Sequence, residues 1–360
     1  MAPNDHGAAL DAASALFTVV LYYKYVRIAE TEEQLTAFVQ EHEALCASLE
    51  LTGRVRIALE GINGTLGGTD ANIHAYVRHM QQSTLFQDVD WKLSASSVSP
   101  FPELQVRRVQ EIVALVLPDE QCDPSNGGVH LTPEEFHQEQ ENCAPEDYAL
   151  IDVRNDYEYN IGHFQGAMNP KTRCFRNFPE WVRTELPVLQ EKQKILMYCT
   201  GGIRCEKASA YLKHLGLENV YQLQGGIHRY LERFPDGGRF QGKNFVFDQR
   251  VAMASTDPSV AGKCDQCATP YDVVSGVRCV YCRTHVLLCD ACRGHTSEED
   301  VYCKDHVALV DGSLEELQAK AQELMSQSEN EKGQARKKKR RALRKQLDIV
   351  QARIQALCTE

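Results

Sequence analysis

The hydrophobic pattern of the first third of the chain predicts a small α/β domain. β-Branched and aromatic residues over 17–26 are typical of a strand, and Thr31 with the acidic and amide residues after it is typical of a helix start. The elements expected next are a helix to about residue 49, a strand over 54–59, a turn at 61–64 that begins a partner strand, a helix over 70–82, and strands around 89–93 and 105–117. This order, βαββαβ with an extra strand, predicts a ferredoxin-like sandwich.

A different pattern begins near residue 147. Apolar runs predict buried strands separated by helical stretches, which indicates an α/β domain with a parallel sheet; the runs lie at 148–153, 194–198 and 220–223. The preceding stretch is polar and punctuated by Pro and Gly, with a short helix after Thr132, so we interpret it as a linker. The predicted organisation has five parts. They are a ferredoxin-like domain (15–117), a linker (118–146), a parallel α/β domain (147–240), a Cys-rich module (241–310) and a charged helical tail (311–360).

The composition narrows the class of protein and its compartment. The 360 residues carry a net charge of −11, so any nucleic-acid site must be a local basic patch on an acidic body. No window is long and apolar enough to span a bilayer, and the first residues lack the basic character of a secretory or transit peptide, so we expect a cytoplasmic protein. In such a chain, 14 cysteines indicate metal ligation and catalysis before disulfides.

The heptapeptide Cys-Thr-Gly-Gly-Ile-Arg-Cys at residues 199–205 is the clearest candidate for chemistry. It lies between a predicted buried strand and a predicted helix, where backbone N–H groups and the helix dipole lower a thiol pKa and make Cys199 a candidate nucleophile. Arg204 adds a fixed positive charge. The residues expected to form the anion-binding loop are Thr200, Gly201, Gly202 and Ile203. The alternative is a buried structural cysteine, which would leave the Gly-Gly pair and the arginine without a purpose.

The length of this loop limits what it can hold. Four residues separate Cys199 from Arg204, whereas a Cys-based phosphatase needs a longer loop to wrap a phosphate. The shorter loop fits a smaller terminal group, such as the outer sulfur of a persulfide. We therefore expect Cys199 to carry or attack a small negatively charged group.

Several stretches resemble the rhodanese superfamily and one of its subfamilies. Residues 150–167, which begin Leu-Ile-Asp-Val-Arg, look like the opening signature of a rhodanese domain, and residues 199–212 look like its active-site loop and following helix. The string Tyr-Cys-Thr-Gly-Gly-Ile-Arg-Cys-Glu-Lys-Ala-Ser at 198–209 resembles the rhodanese-like tRNA uridine hydroxylases, as do residues 53–64 and 242–250. The subfamily carries an acylphosphatase-like domain where the first pattern predicts a ferredoxin-like one.

The resemblance implies an activity and a set of roles. These enzymes use oxygen to convert the wobble uridine of some tRNAs to 5-hydroxyuridine, so tRNA is the implied partner and molecular oxygen the implied co-substrate; no nucleotide cofactor is evident. Cys199 would be the catalytic cysteine, Arg204 would stabilise an anion, and Cys205 would resolve an oxidised Cys199 as a disulfide. Asp152 and Arg154 would brace the active-site region.

Two other functions are alternatives to tRNA hydroxylation. A sulfurtransferase, which moves sulfur from thiosulfate or a persulfide to a thiol, needs only Cys199 and its anion loop. A non-catalytic adaptor for RNA or protein would rely on the Cys-rich module and the basic tail. The adaptor leaves the loop at 199–205 without a role, so we rank it last.

The Cys-rich stretch predicts metal binding. Four pairs of potential ligands each have two residues between their members, the spacing at which one turn presents two ligands to a tetrahedral ion. The pairs are Cys264 and Cys267, Cys279 and Cys282, Cys289 and Cys292, and Cys303 and His306. Eight ligands suit two structural zinc ions, held either by consecutive pairs or by an interleaved arrangement of first with third and second with fourth. The alternative, free or redox-paired thiols, would leave this segment little to fold it.

Two basic features are candidate RNA contacts. A basic run at 332–345 leads into apolar residues at helical spacing, which predicts a basic helix merging into an amphipathic one. Its candidate phosphate contacts are Lys337, Lys338, Lys339, Arg340 and Arg341. A solvated tail and a nuclear import signal are alternatives. Arg54 and Arg56, near a polar turn with Glu60 and Asn63, are implied to contact tRNA by the subfamily resemblance.

Overall fold

The structure is a computed structural model that describes residues 16–274, 276–297, 300–330 and 337–359. The chain divides into two compact units, with the boundary between residues 261 and 262. The first unit contains both predicted α/β folds, and the second contains the Cys-rich stretch with the last helices. None of the helices in the described ranges is long and apolar enough to cross a membrane.

The first domain has the predicted ferredoxin-like architecture. Its elements are β1 (Phe17–Tyr25), α1 (Glu32–Ser48), β2 (Thr52–Ala58), β3 (Gly61–Gly68), α2 (Asp70–Gln81), β4 (Lys92–Ser96) and β5 (Leu104–Arg108). The sheet order is β4-β1-β3-β2-β5, with β2 and β5 parallel and the other neighbours antiparallel. A capping box at Thr31, in which Gln34 is the reciprocal partner, begins α1 as expected.

The last strand of this domain is shorter than predicted. A strand to residue 117 was expected, but β5 ends at Arg108. Beyond it, Ile112 donates its backbone N–H to the Glu60 carboxylate at 2.7 Å, and Leu115 is buried in the core of the following domain. The apolar residues after Arg108 therefore mark a contact between domains. The strand prediction was wrong because a strand in a sheet and a segment packed between domains both bury apolar side chains.

The two faces of the first sheet differ in character. Val20 and Tyr22 are fully buried on the face that α1 and α2 cover. Side chains alternate along a strand, so Tyr23 lies on the opposite, outer face together with Arg56 of β2. Arg56 is exposed, whereas Tyr23 is partly buried. The outer face therefore has one part open to solvent and one part covered.

The second domain contains the predicted parallel sheet. Its elements are α3 (Asp119–Cys122), β6 (Val129–Leu131), α4 (Pro133–Asn142), β7 (Tyr148–Asp152), α5 (Asp156–Tyr159), β8 (Gly162–Phe164), α6 (Phe178–Gln190), β9 (Lys194–Tyr198), α7 (Ile203–His214), β10 (Val220–Leu223) and α8 (Gly226–Arg233). The parallel sheet has the order β6-β10-β9-β7, and its strands are almost wholly apolar because helices cover both faces. The three predicted strands are β7, β9 and β10.

The stretch interpreted as a linker is part of this domain. Within residues 118–146, β6 pairs with β10 at the edge of the parallel sheet, and Phe136 of α4 is fully buried in the domain core. A capping box at Thr132 begins α4. The linker interpretation does not hold here. The exposed face of α4 is polar and β6 is very short, so the sequence shows few of the buried positions through which these two elements pack on the sheet.

The start of the predicted Cys-rich module also belongs to the first unit. After α8, β11 (Phe240–Phe245) and β12 (Ala252–Ala254) form a three-stranded antiparallel sheet with β8. Residues 241–261 therefore extend the α/β domain, and the second unit begins at residue 262.

The second unit joins the cysteines and the last helices in one core. Its helices are α9 (Asp290–His295), α10 (Ala308–Asp311), α11 (Leu314–Asn330) and α12 (Lys337–Thr359). Leu317 and Leu324 of α11 and Leu343 and Val350 of α12 are buried with Cys279 in a single cluster. The amphipathic helix predicted at the end of the chain is thus present, and it is packed rather than solvated along its apolar side.

Candidate active site and metal centres

Cys199 sits in the turn between β9 and α7. Gly202 adopts a φ of +106°, a conformation that glycine takes without strain, and this lets the chain enter α7 at Ile203. The backbone N–H of Gly202 donates to Cys199 Sγ at 3.2 Å. The thiol is fully buried. Within the predicted anion loop, residues 200–203, the Gly202 N–H therefore points at the sulfur.

The environment of Cys199 favours its thiolate. Burial acts to raise the pKa of the Cys199 thiol, but a hydrogen bond from Cys205, the charge of Arg204 and the backbone N–H groups of both residues together lower it to about 5. Burial and the neighbouring thiolate raise the pKa of Cys205 well above its usual range. The pair is therefore asymmetric, with a thiolate at Cys199 and a protonated thiol at Cys205 at neutral pH.

Arg204 is held by a carboxylate that the sequence reasoning did not single out. Its two terminal nitrogens donate to Glu158 at 2.7 and 2.8 Å, and one of them also donates to Thr200 Oγ1 at 3.1 Å. Glu158 is fully buried, yet the charge of Arg204 keeps the pKa of its carboxyl below the usual range despite that burial. Arg204 is thus oriented beside Cys199, and part of its charge is already balanced. The signal for Glu158 was its place in the rhodanese-like signature.

Asp152 and Arg154 form a buried pair at the end of β7. Arg154 Nε donates to Asp152 Oδ1 at 2.9 Å, and Arg154 Nη2 donates to Asp152 Oδ2 and to the Gly162 carbonyl, both at 2.6 Å. Neither side chain is exposed. The pair ties the strand beside Cys199 to β8, which fits the bracing role that the resemblance implies for these two residues.

The start of α8 packs against the catalytic loop and donates hydrogen bonds to it. Ile227 and His228 donate their backbone N–H groups to the carbonyls of Cys199 and Thr200 at 3.0 and 3.1 Å. A Cβ on Gly226 would lie 2.5 Å from the Cys199 carbonyl oxygen, so only glycine permits this approach. The loop is therefore fixed on two sides, by its own helix and by the next one.

Two tyrosines of β1 cover the catalytic loop. Tyr23 Oη donates to Glu206 Oε1 at 2.8 Å, and Tyr25 Oη donates to the Ile203 carbonyl at 3.3 Å. A Cβ on Gly202 would lie 2.7 Å from Tyr23 Oη, which measures how closely the ring approaches the loop. The first domain thus closes over Cys199. Sequence reasoning missed both tyrosines, because the contacts span about half of the chain.

Charged residues directly after Cys205 join the two domains. Glu206 also accepts hydrogen bonds from His130 Nε2 and Gln222 Nε2, both at 3.0 Å. Lys207, nearly fully buried, lies 2.8 Å from both Glu60 and Glu111. The Glu60 carboxylate is therefore engaged within the protein, by Lys207 and by the Ile112 N–H.

Asn63 is likewise engaged within the protein. Its side-chain amide donates to the Ile112 carbonyl at 3.1 Å. Together with Glu60, it holds the segment that runs from β5 into the second domain. The polar turn therefore serves the domain junction, which the sequence pattern could not distinguish from a surface hairpin.

A cleft of about 880 Å³ opens beside the catalytic loop. Its walls come from both domains of the first unit and include Tyr23, Tyr25, Glu60, Glu206 and Lys207. A cleft of this size is within the range that holds a small-molecule ligand. Cys199 does not line the cleft, whereas Tyr23, which approaches the catalytic loop at Gly202, does.

The predicted RNA contacts lie in different environments. Arg56 is exposed, and Arg54 is half-exposed, 3.7 Å from Glu103. On α12, Lys339 and Arg341 are exposed and Arg340 is partly buried. The side chains of Lys337 and Lys338, and the basic residues at 332–336, lie outside the described part of the chain.

The eight predicted metal ligands form two groups of four. One group is Cys264, Cys267, Cys289 and Cys292, and the other is Cys279, Cys282, Cys303 and His306. Within each group the ligand atoms lie within 4.8 Å of one another. The structure therefore brings the first pair to the third and the second to the fourth, which is the interleaved alternative.

The sulfur separations fit a tetrahedral ion. Cys267 Sγ and Cys289 Sγ are 3.6 Å apart, and Cys282 Sγ and Cys303 Sγ are 3.7 Å apart. Zn–S bonds of about 2.3 Å at the tetrahedral angle put two sulfurs roughly 3.8 Å apart. These distances are too long for a disulfide in either pair, the cysteines of both groups are free, and the spacing suits a thiolate-bound zinc ion. Both groups can therefore hold a metal.

The fold and site define the class, a rhodanese-type domain preceded by an acylphosphatase-like domain. Family models agree: an acylphosphatase-like domain (UPF0176) matches residues 17–112, a rhodanese-like domain 132–233, and a rhodanese C-terminal domain 241–306. The tRNA uridine(34) hydroxylase of Enterococcus faecalis is 43% identical over 251 residues, which cover 69% of this chain and 77% of that protein. The chain belongs to the tRNA uridine(34) hydroxylase family.

Two further relatives differ in how much of them this chain covers. The tRNA uridine(34) hydroxylase of Bacillus licheniformis is 43% identical over 240 residues, 66% of this chain and 71% of that protein. The rhodanese-like domain-containing protein 6 of Arabidopsis thaliana is 37% identical over 303 residues, 77% of this chain but only 51% of that protein. The chain thus spans about half of the plant relative and about three quarters of the bacterial ones.

Proposed function

We propose that this protein hydroxylates the wobble uridine of tRNA at carbon 5, in the cytoplasm, with Cys199 as the catalytic residue. The observation that carries the proposal is the Cys199 thiolate, with a pKa of about 5, held at the start of α7 in a member of the tRNA uridine(34) hydroxylase family. Bacterial relatives of that name support the substrate. They lend no support to the nuclear location that the basic tail raised.

The thiolate acts on the pyrimidine ring. Cys199 Sγ adds to carbon 6 of the uracil, which makes carbon 5 electron-rich and able to take an oxygen atom from molecular oxygen. The loop N–H groups and Arg204 stabilise negative charge that develops next to the sulfur. Asp152 and Arg154 hold the loop in place without touching the substrate.

Cys205 supplies reducing equivalents. Placing one oxygen atom on the uridine and reducing the other to water consumes two electrons. Once oxygen is bonded to carbon 5, loss of the carbon-5 proton breaks the bond between Cys199 Sγ and carbon 6 and frees the thiolate. Oxidation of the freed Cys199 together with Cys205 to one disulfide then releases the two electrons, and the hydrogen bond between them supports that pairing. Each further turnover then requires a thiol reductant from solution.

The uridine reaches the site by displacing the first domain's tyrosines. Cys199 is fully buried, and Tyr23, which packs against Gly202 of the catalytic loop, lines the cleft. A base extruded from the anticodon loop occupies the cleft once this ring swings aside. Arg54 and Arg56 contact the RNA backbone, and the basic start of α12 offers a separate phosphate-binding surface.

The two four-ligand groups would hold two zinc ions that stabilise the second unit. Each group would supply all four ligands of a tetrahedral ion from protein atoms and leave no position for a reacting water, so the role would be structural. The group that contains His306 would supply three thiolates and one imidazole. Because the ligands share a core with α11 and α12, metal binding contributes to folding of these helices.

Nucleoside mass spectrometry tests the activity. The wild-type protein and Cys199→Ser are incubated aerobically with unmodified tRNA and dithiothreitol, and 5-hydroxyuridine is quantified. The wild type should form it and the variant should not, although both should show the same far-UV circular dichroism. Cys205→Ser should form product more slowly than the wild type, because it lacks the thiol that pairs with Cys199. Equal product from Cys199→Ser would refute the proposal.

Sulfur transfer is the competing outcome for the same cysteine. If the wild type makes no 5-hydroxyuridine but Cys199 gains one sulfur from thiosulfate, as measured by protein mass spectrometry, the sulfurtransferase becomes the better assignment. A protein whose Cys199→Ser variant behaves as wild type in both assays would instead fit the adaptor.

A further inference from the structure

The outer face of the first sheet is unusually basic for this protein. The five strands β1 to β5 contain six Lys and Arg residues and no Asp or Glu, although the whole chain carries a net charge of −11. Two of these basic residues, Lys24 and Arg108, point to the helix-covered side and are paired with Asp88 and Glu32. The others lie on the outer face.

The strand register aligns part of this charge with the catalytic loop. Cross-strand pairs place Tyr23, Asn63, Arg56 and Arg107 in one row across β1, β3, β2 and β5. With adjacent strands about 4.8 Å apart, Arg107 lies roughly 14 Å from Tyr23 along the row. The row therefore begins at the ring that covers Cys199 and ends at an edge strand.

The two arginines of the row are available to a partner. Arg56 and Arg107 are both exposed, and neither has a carboxylate within ion-pair distance among the described residues. Arg54, one row away, is partly neutralised by Glu103. Asn63, between Tyr23 and Arg56 in the row, is uncharged and donates to a backbone carbonyl. An arginine side chain presents several donors in a fixed fork, which suits phosphate oxygens.

We infer that the row from Tyr23 to Arg107 is a track for single-stranded RNA, on which Arg56 and Arg107 bind phosphates flanking the uridine that enters beside Cys199. This inference rests on the proposed function, and it adds Arg107 as an RNA contact and the direction in which the RNA crosses the sheet. The RNA runs across the strands from the catalytic loop to the β5 edge. Because arginine contacts to phosphate release counterions, the track contributes affinity that salt weakens.

Neighbouring arginines on opposite faces provide a matched test. Arg107→Ala removes a track residue, whereas Arg108→Ala removes a neighbouring exposed arginine that faces α1 and Glu32. Binding of the full-length protein to an unmodified tRNA transcript is measured at several salt concentrations. Arg107→Ala and Arg56→Ala should each weaken binding about 3- to 10-fold and reduce the salt slope by about 0.7. Arg108→Ala should match the wild type.

Kinetics separate RNA positioning from chemistry. Arg107→Ala should raise KM for tRNA and leave kcat for 5-hydroxyuridine formation unchanged, and Arg107→Lys should restore most of the affinity because it keeps the charge. Equal binding by Arg107→Ala and Arg108→Ala, or a salt slope unchanged in both track variants, would overturn the inference. If the wild type binds tRNA with this contrast but forms no 5-hydroxyuridine, the activity is wrong and the track stands.

Discussion

The hydroxyl of Tyr23 donates a hydrogen bond of 2.8 Å to Glu206, the residue that follows the second cysteine of the catalytic loop. The two residues are 183 positions apart and belong to different folds. This contact places an aromatic ring of the first domain directly over the loop that holds Cys199. The first domain is therefore a wall of the candidate active site.

Removing this hydrogen bond should loosen the junction. Tyr23→Phe keeps the ring but leaves Glu206 with His130 and Gln222 as donors, so the free energy of unfolding in urea should fall by about 1 kcal/mol. Tyr25→Phe removes a longer bond of 3.3 Å and should cost less. A Tyr23→Phe protein as stable as the wild type would show that the hydroxyl contributes nothing to the junction.

The ionisation of Cys199 should be visible as thiolate absorbance. The difference in absorbance near 240 nm between the wild type and Cys199→Ser isolates this one group among the cysteines. Because its pKa is lowered to about 5, the signal should persist at neutral pH and disappear as the pH falls through about 5. Activity that depends on the thiolate should fall over the same range. A titration midpoint at the ordinary thiol pKa of about 8.5 would contradict the assigned environment of Cys199.

Paired substitutions should identify the metal pairing. Cys264→Ser with Cys289→Ser disrupts one interleaved group, so one zinc ion should remain by elemental analysis. Cys264→Ser with Cys279→Ser disrupts both groups, so none should remain. Consecutive pairing predicts the reverse pattern. Cys358→Ser, an exposed cysteine outside both groups, is the control and should keep two ions.

The buried pair at the end of β7 should matter for stability. Arg154→Ala leaves the Asp152 carboxylate buried without its partner, which costs on the order of 3–5 kcal/mol in the free energy of unfolding. Arg233→Ala removes the exposed partner of Glu134 and should leave the urea midpoint nearly unchanged. Similar midpoints for both variants would mean that the Asp152 pair is not a structural brace.

Local patterns were read correctly wherever neighbouring residues determine the structure. The strand–loop–helix around Cys199, the capping signals at Thr31 and Thr132, and the spacing of the paired cysteines all depend on residues a few positions apart. Burial-based patterns were less reliable. The apolar stretch after Arg108 was read as a strand, yet its side chains are buried against another domain.

The sequence by itself determined the two α/β folds, the candidate nucleophile Cys199 in a short loop between a strand and a helix, and the set of eight candidate metal ligands. Only the tertiary structure decided which cysteine pairs share a group, that Glu158 holds Arg204, and that Tyr23 covers the loop. The physical reason is distance along the chain. Period and spacing act over one or two turns, whereas these contacts join residues brought together only when whole domains pack.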